Sequence, residues 1–123
     1  MRYLTDRKRA VGKGAAHSGT AHHWSMHMTS VALAFMVPTW IYLFGHALGQ
    51  SHAVVLATFA RPFPAILTAL VLVIAMRHFT KGATMMIEDY ARGSARKLGV
   101  IFVTSLATVI AATGLFALAK IAF

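Results

Sequence analysis

No Lys, Arg, Asp or Glu occurs from Gly14 through Ala60, and within that stretch Thr29 to Gly45 is almost wholly apolar. Two further apolar segments follow. One is entered through Arg61-Pro62 and runs from Phe63 to Met76 before meeting Arg77 and His78; the other, Leu98 to Ala119, carries no charge at all. About 20 apolar residues wound as an α-helix cross the roughly 30 Å of hydrocarbon in a bilayer. The first and third runs reach that length outright. The second reaches it if the helix continues past Lys81 toward Ile87, since it is polar only near one end. The pattern predicts an all-α integral membrane protein with three transmembrane helices, over about residues 25–48, 62–87 and 98–120. Residues 1–23 then form a basic N-terminal segment, and 24–123 a three-helix anchor domain.

Composition excludes the alternatives. Of the 123 residues 58% are hydrophobic and only 12% charged, and the mean hydropathy is +0.65. A soluble domain this small buries about 60–70% of its unfolded surface, too little to hide so many apolar side chains. Low charge with high hydrophobicity also excludes disorder. The chain has no cysteine. That removes disulfide scaffolds, zinc–thiolate and iron–sulfur sites, thiol nucleophiles and C-x-x-C-H haem attachment.

The net charge of +9, from 12 Lys and Arg against 3 Asp and Glu, would suggest nucleic acid if it formed one surface patch. Its distribution points elsewhere. Arg2, Arg7, Lys8, Arg9 and Lys13 precede the first helix; Arg77, Lys81, Arg92, Arg96 and Lys97 lie on or near the second connection. Only Arg61 and Lys120 fall on the other side. Positive charge gathers on cytoplasmic loops, so the N-terminus is expected in the cytoplasm and the C-terminus in the periplasm. Orientation and attraction to anionic membrane lipid account for the charge without nucleic acid. The first residues lack the apolar core of a secretory signal, so the first helix is expected to act as an uncleaved anchor. Pro38 should kink that helix near Thr39 and Trp40. Residues 45–61 should form a turn or loop, and Gly93-Ser94 should separate the second helix from the third.

Ionisable side chains within spans are costly and mark function by default. His78 is the first. Residues 78, 82, 85 and 89 are spaced 4, 3 and 4 apart, so His78 and Asp89 share a helix face about 16 Å apart, with Gly82 between them. A neutral imidazole beside a glycine suits an axial haem ligand. An interhelical hydrogen bond from the same imidazole is the simpler alternative. The second place is Glu88-Asp89-Tyr90, where a phenol beside a carboxylate can hydrogen-bond a carbonyl oxygen and relay a proton. Its alternative is an interfacial tyrosine, with a helix-terminal acid paired to Arg92 or Lys81. The third is His17, His22, His23 and His27. His23 and His27 can share a face as a metal pair would, but no cysteine or nearby carboxylate completes a zinc or copper site. Interfacial anchoring with Trp24 is the alternative there, and His27 could also reach an acidic group of a cofactor. The methionines at 26, 28, 36, 76, 85 and 86 suit gaps between packed helices.

Arg77-His78-Phe79, then Met85-Met86-Ile87-Glu88-Asp89-Tyr90, a basic loop and a third apolar helix together resemble the small hydrophobic anchor subunit of bacterial succinate dehydrogenase. The His, ten residues, then Asp-Tyr is the most specific element, and His22-His23-Trp24 through Thr29 matches the opening of the first helix. The resemblance covers essentially the whole chain. It implies a multi-pass protein of the bacterial inner membrane, paired with a second, cytochrome b556-type membrane anchor and holding iron–sulfur and flavoprotein subunits on the cytoplasmic face. It further implies one haem b shared between the two anchors, with His78 as this chain's axial ligand to the haem iron. Ubiquinone would bind near the cytoplasmic boundary, with Tyr90 on a quinone carbonyl and Asp89 beside it. Many relatives carry an arginine near the position of His27 that helps neutralise the haem propionates; here a neutral His27 would do so more weakly, with Arg77 or a partner residue to compensate. A haem-free structural anchor is the nearest alternative. A small proton-coupled transporter is a more distant one, since such proteins place a carboxylate well inside a span.

Overall fold

Two glycines with left-handed backbones set the ends of the long helices. Gly49 (φ 77°) and Gly93 (φ 59°) occupy a region that residues with a Cβ adopt only at a cost. The computed structural model describes residues 3, 5–11 and 19–123; His17, Arg2 and Lys13 lie outside them. In chain order the helices are α1 (Asp6–Val11), α2 (Gly19–Ala47), α3 (His52–Phe59), α4 (Pro62–Tyr90) and α5 (Gly93–Ala122). The described residues form no strand.

The helices α2, α4 and α5 are each long and apolar enough to cross a membrane. They have 29, 29 and 30 residues, about 43–45 Å at 1.5 Å per residue. Each outruns the hydrocarbon core, so each has a turn or more for the interfaces. The expected spans fall almost wholly inside them. The helices begin or end beyond those spans because helix formation, unlike hydropathy, does not stop at Trp24, Glu88 or Arg96. Pro62 lies in the first turn of α4, where its missing N–H is no loss. Helix α2 runs on through Pro38, and the Thr39 hydroxyl donates to the Phe35 carbonyl at 2.8 Å.

The connection expected as a loop between residues 45 and 61 contains the eight-residue α3. Its sequence, HAVVLATF, is apolar except for His52 and Thr58 and is far too short to span. Extended Ser51 (φ −63°, ψ 153°) opens it, and Arg61-Pro62 forces the chain into a new helix.

Helix α4 is central. It packs against α2 on one flank and α5 on another, while among the described residues α2 and α5 do not pack against each other; α3 touches all three at one end. An open arrangement of this kind leaves little interior. Apolar burial is confined to small or single side chains such as Ala65, Leu67, Ala107 and Leu118, and Phe35 is 75% exposed. In water that surface would be prohibitive; in a bilayer lipid tails or a neighbouring helix cover it at no penalty.

The α4–α5 contact is close because glycine permits it. A Cβ on Gly114 would stand 2.5 Å from Leu72 Cδ2, and one on Gly99 would stand 3.2 Å from Ile87 Cγ2. Small residues let transmembrane helices approach until dispersion forces hold them.

Candidate functional site

His78 is half-buried on the flank of α4 that meets α2. Its Nδ1 lies 2.9 Å from the Thr29 hydroxyl oxygen, across 49 residues of sequence. The Thr29 hydroxyl owns one proton and faces the carbonyls of Ser25 and Met26 at 3.0 and 2.9 Å, an ordinary back-bond within its own helix. A hydroxyl donating there accepts from its other neighbour, which assigns the proton of the His78 contact to Nδ1. A second bond across the same seam has this form without ambiguity. Trp40 Nε1, which can only donate, lies 3.1 Å from the Thr68 hydroxyl, which donates back to the Pro64 carbonyl at 2.7 Å. With Nδ1 protonated, Nε2 of His78 carries the free lone pair. Among the described residues it has no hydrogen-bond partner. That is the tautomer in which an imidazole can ligate a metal.

Gly82, one turn from His78, does not open onto empty space. The Met26 methyl would lie 3.7 Å from a Cβ at that position. The room that the sequence suggests for a flat macrocycle there is occupied by α2, because the same face of α4 supplies the helix–helix contact. The side of His78 left accessible is Nε2.

The other residues of interest are spread around the bundle. Arg77, next in sequence to His78, is about 100° around the helix from it and opens onto a groove between α4 and α5. His27 is exposed and lies two residues from Thr29, on the opposite face of α2. Its Nε2 is 3.0 Å from Nε2 of His23, with the rings edge to face, so the pair does share a helix face. Nε2 of His22 is buried without a hydrogen-bond partner among the described residues. No group of three or more metal-ligating side chains occurs among the described residues.

Asp89 and Tyr90 stand at the last turn of α4, both exposed, with Tyr90 at 87%. The acid that finds a partner is Glu88, and the partner is Arg96 at 2.9 Å, not Arg92 or Lys81. Arg96 lies one turn into α5, where the two-residue connection brings it back over the end of α4; Arg92 sits in that connection with an extended backbone. Among the described residues Asp89 has no ion-pair partner, and it stands beside Tyr90.

A model of the succinate dehydrogenase/fumarate reductase transmembrane subunit family matches residues 1–112. The chain belongs to that family. A relative from Paracoccus denitrificans, named succinate dehydrogenase hydrophobic membrane anchor subunit, is 44% identical over 120 residues, covering 98% of this chain and 93% of the relative. No solved structure matches the chain. The protein is a multi-pass membrane anchor subunit of the succinate dehydrogenase type. Membership of this family decides against the transporter alternative.

Thr29 is the neighbour of His78 that the anchor's sequence does not announce; it reads there as the edge of an apolar run and the close of the His22-His23-Trp24 opening, with no link to His78. The signal that finds it is a hydroxyl one turn into the first span, able to bond its own helix and still accept from another. The Thr68–Trp40 bond was likewise invisible. So was the convergence of Lys81 with Arg77 on the α5 side.

Proposed function

We propose that this anchor subunit binds haem b through Nε2 of His78 and presents Asp89 and Tyr90 to ubiquinone, as part of succinate:quinone oxidoreductase. The observation that carries the haem assignment is the 2.9 Å contact between His78 Nδ1 and Thr29, which orients the imidazole; with the Thr29 hydroxyl assigned as donor to its own helix, Nε2 keeps the free lone pair. Metal-bound histidines are commonly fixed in this way through their second nitrogen. His78 would hold the haem from this chain, and a second membrane anchor would complete its ligation. Bound there, haem would supply a one-electron redox centre.

The quinone assignment rests on chemistry at the Tyr90 end of α4. A phenol donates to a quinone carbonyl, and a carboxylate not engaged by a cation can help carry the proton. Both side chains are exposed, so the walls of such a site must come from other subunits. The Glu88–Arg96 pair keeps the neighbouring acid occupied and steadies the α4–α5 turn. The basic residues flanking this end put it, with the N-terminus, on the cytoplasmic side, where iron–sulfur and flavoprotein subunits would dock, and put the C-terminus in the periplasm. His27 and Arg77 both point away from the α2–α4 seam, so either would meet a haem propionate only on the surface a second anchor chain covers.

Replacing His78 by alanine in the assembled complex should abolish or shift the reduced-minus-oxidised haem spectrum; an unaltered spectrum and haem content would remove it as a ligand. Replacing Tyr90 by phenylalanine should impair quinone reduction while leaving dye-linked succinate oxidation nearly intact. Equal loss of both activities would contradict the quinone role. A haem-free anchor is the second reading, supported by the same Thr29–His78 bond, which then serves packing alone. A complex with no haem absorption at all would establish it.

A further inference from the structure

Arg77 and Lys81 lie one turn apart on α4 and line a groove of about 320 Å³ between α4 and α5. Neither has an ion-pair partner among the described residues. Two cations without a counter-charge, on a helix that crosses a membrane, are costly unless an anion reaches them. The groove also holds the hydroxyls of Thr80, Thr104 and Thr108. Thr80 donates to the Met76 carbonyl and Thr108 to the Thr104 carbonyl, both at 2.8 Å. The exposed Thr104 hydroxyl makes no hydrogen bond among the described residues, so its proton is free for an acceptor.

Depth identifies the anion. Counting from Pro62, Lys81 stands about 28 Å and Arg77 about 22 Å along the helix axis, against a hydrocarbon thickness of roughly 30 Å. With the Pro62 end placed at one face of the hydrocarbon, Lys81 falls at the other boundary and Arg77 reaches it by extending its side chain. Below them, toward the Pro62 end, the groove wall is formed by Val73, Ala107 and Ala111, with the one hydroxyl there, that of Thr108, already spent on its own helix. A headgroup phosphate at the boundary with an acyl chain below it matches this order of charge and apolar surface.

We propose that this groove binds an anionic phospholipid, with Arg77, Lys81 and Thr104 holding the phosphate and the wall below receiving an acyl chain. Basic recesses between transmembrane helices take anionic headgroups by this combination of charge and shape. The proposal does not rest on haem or quinone binding. It leaves His27, not Arg77, as this chain's propionate contact.

The test is native mass spectrometry of the complex, purified with its companion subunits and placed in nanodiscs of phosphatidylglycerol and phosphatidylcholine. The wild-type complex should retain phosphatidylglycerol selectively. Arg77→Gln and Lys81→Gln should each lower that retention about fivefold, while the charge-keeping pair Arg77→Lys with Lys81→Arg retains it. Equal retention by the glutamine variants overturns the proposal, and so does displacement of the lipid by inorganic phosphate. A changed haem spectrum with unchanged lipid retention also overturns it, assigning the cations to propionates. His78→Ala should alter haem and leave lipid retention untouched, so the two assignments fail separately. If the glutamine variants do not assemble, photo-crosslinking of a diazirine-bearing phosphatidylglycerol to the wild-type complex decides. Labelling of residues 73–81 and 104–111 supports the site, and labelling only elsewhere refutes it.

Discussion

The two flanks of α4 are held by different forces. Against α5 the contact is close and apolar, with Gly114 and Gly99 receiving the side chains of Leu72 and Ile87. Against α2 it carries two polar bonds, Thr29–His78 and Trp40–Thr68, each built on a threonine that is also back-bonded to its own helix. In lipid no hydrophobic force drives helices together, so both solutions are available: tight van der Waals packing or a few interhelical hydrogen bonds. They differ in what they specify. Close packing fixes distance. A hydrogen bond fixes the orientation of the group that makes it, which close packing of a leucine does not.

Overpacking the tight flank should produce the largest effect. Gly114→Leu places a branched side chain where a Cβ alone already stands 2.5 Å from Leu72, and overpacking costs about 1–3 kcal/mol or more. The assembled complex should fall sharply in yield and in thermal inactivation midpoint. Gly114→Ala should be far milder, since the Leu72 methyl at issue is the end of a flexible side chain. If leucine is tolerated as well as alanine, the close approach is not what holds this flank.

Thr29→Val tests the polar flank. It keeps shape but removes the acceptor for His78 Nδ1–H, at about 0.6–2 kcal/mol, the range for such bonds in membranes. Its distinctive readout is the haem spectrum or midpoint potential, which should change even where the complex still assembles, with Thr29→Ser restoring it. Destabilisation with an unmoved spectrum would make the bond a packing contact only. Trp40→Phe is the smallest change. It deletes the bond to Thr68 but keeps an aromatic ring against Phe44, and should cost about 0.6 kcal/mol with the haem spectrum unaffected. A spectral change there would mean that the two bonds of the seam are coupled.

Three helices long and apolar enough to cross a membrane were legible in the sequence, because hydropathy is a local sum and the length of an uncharged run is read directly. The sequence also placed His78, Asp89 and Tyr90 on one helix, since their spacing is covalent. Less of the site was legible. That Glu88 pairs with Arg96 depends on how a two-residue turn folds α5 back over α4, and that α3 is a helix depends on its place between Ser51 and Pro62. Only the tertiary structure decided that α4 is flanked by α2 and α5 without those two meeting, that Met26 fills the space beside Gly82, and that Arg77 faces α5 while His78 faces α2. It alone supplied Thr29 as the partner of His78. The reason is physical: which side chains meet across 49 residues is set by the register of packed helices, and many registers are compatible with the same hydropathy.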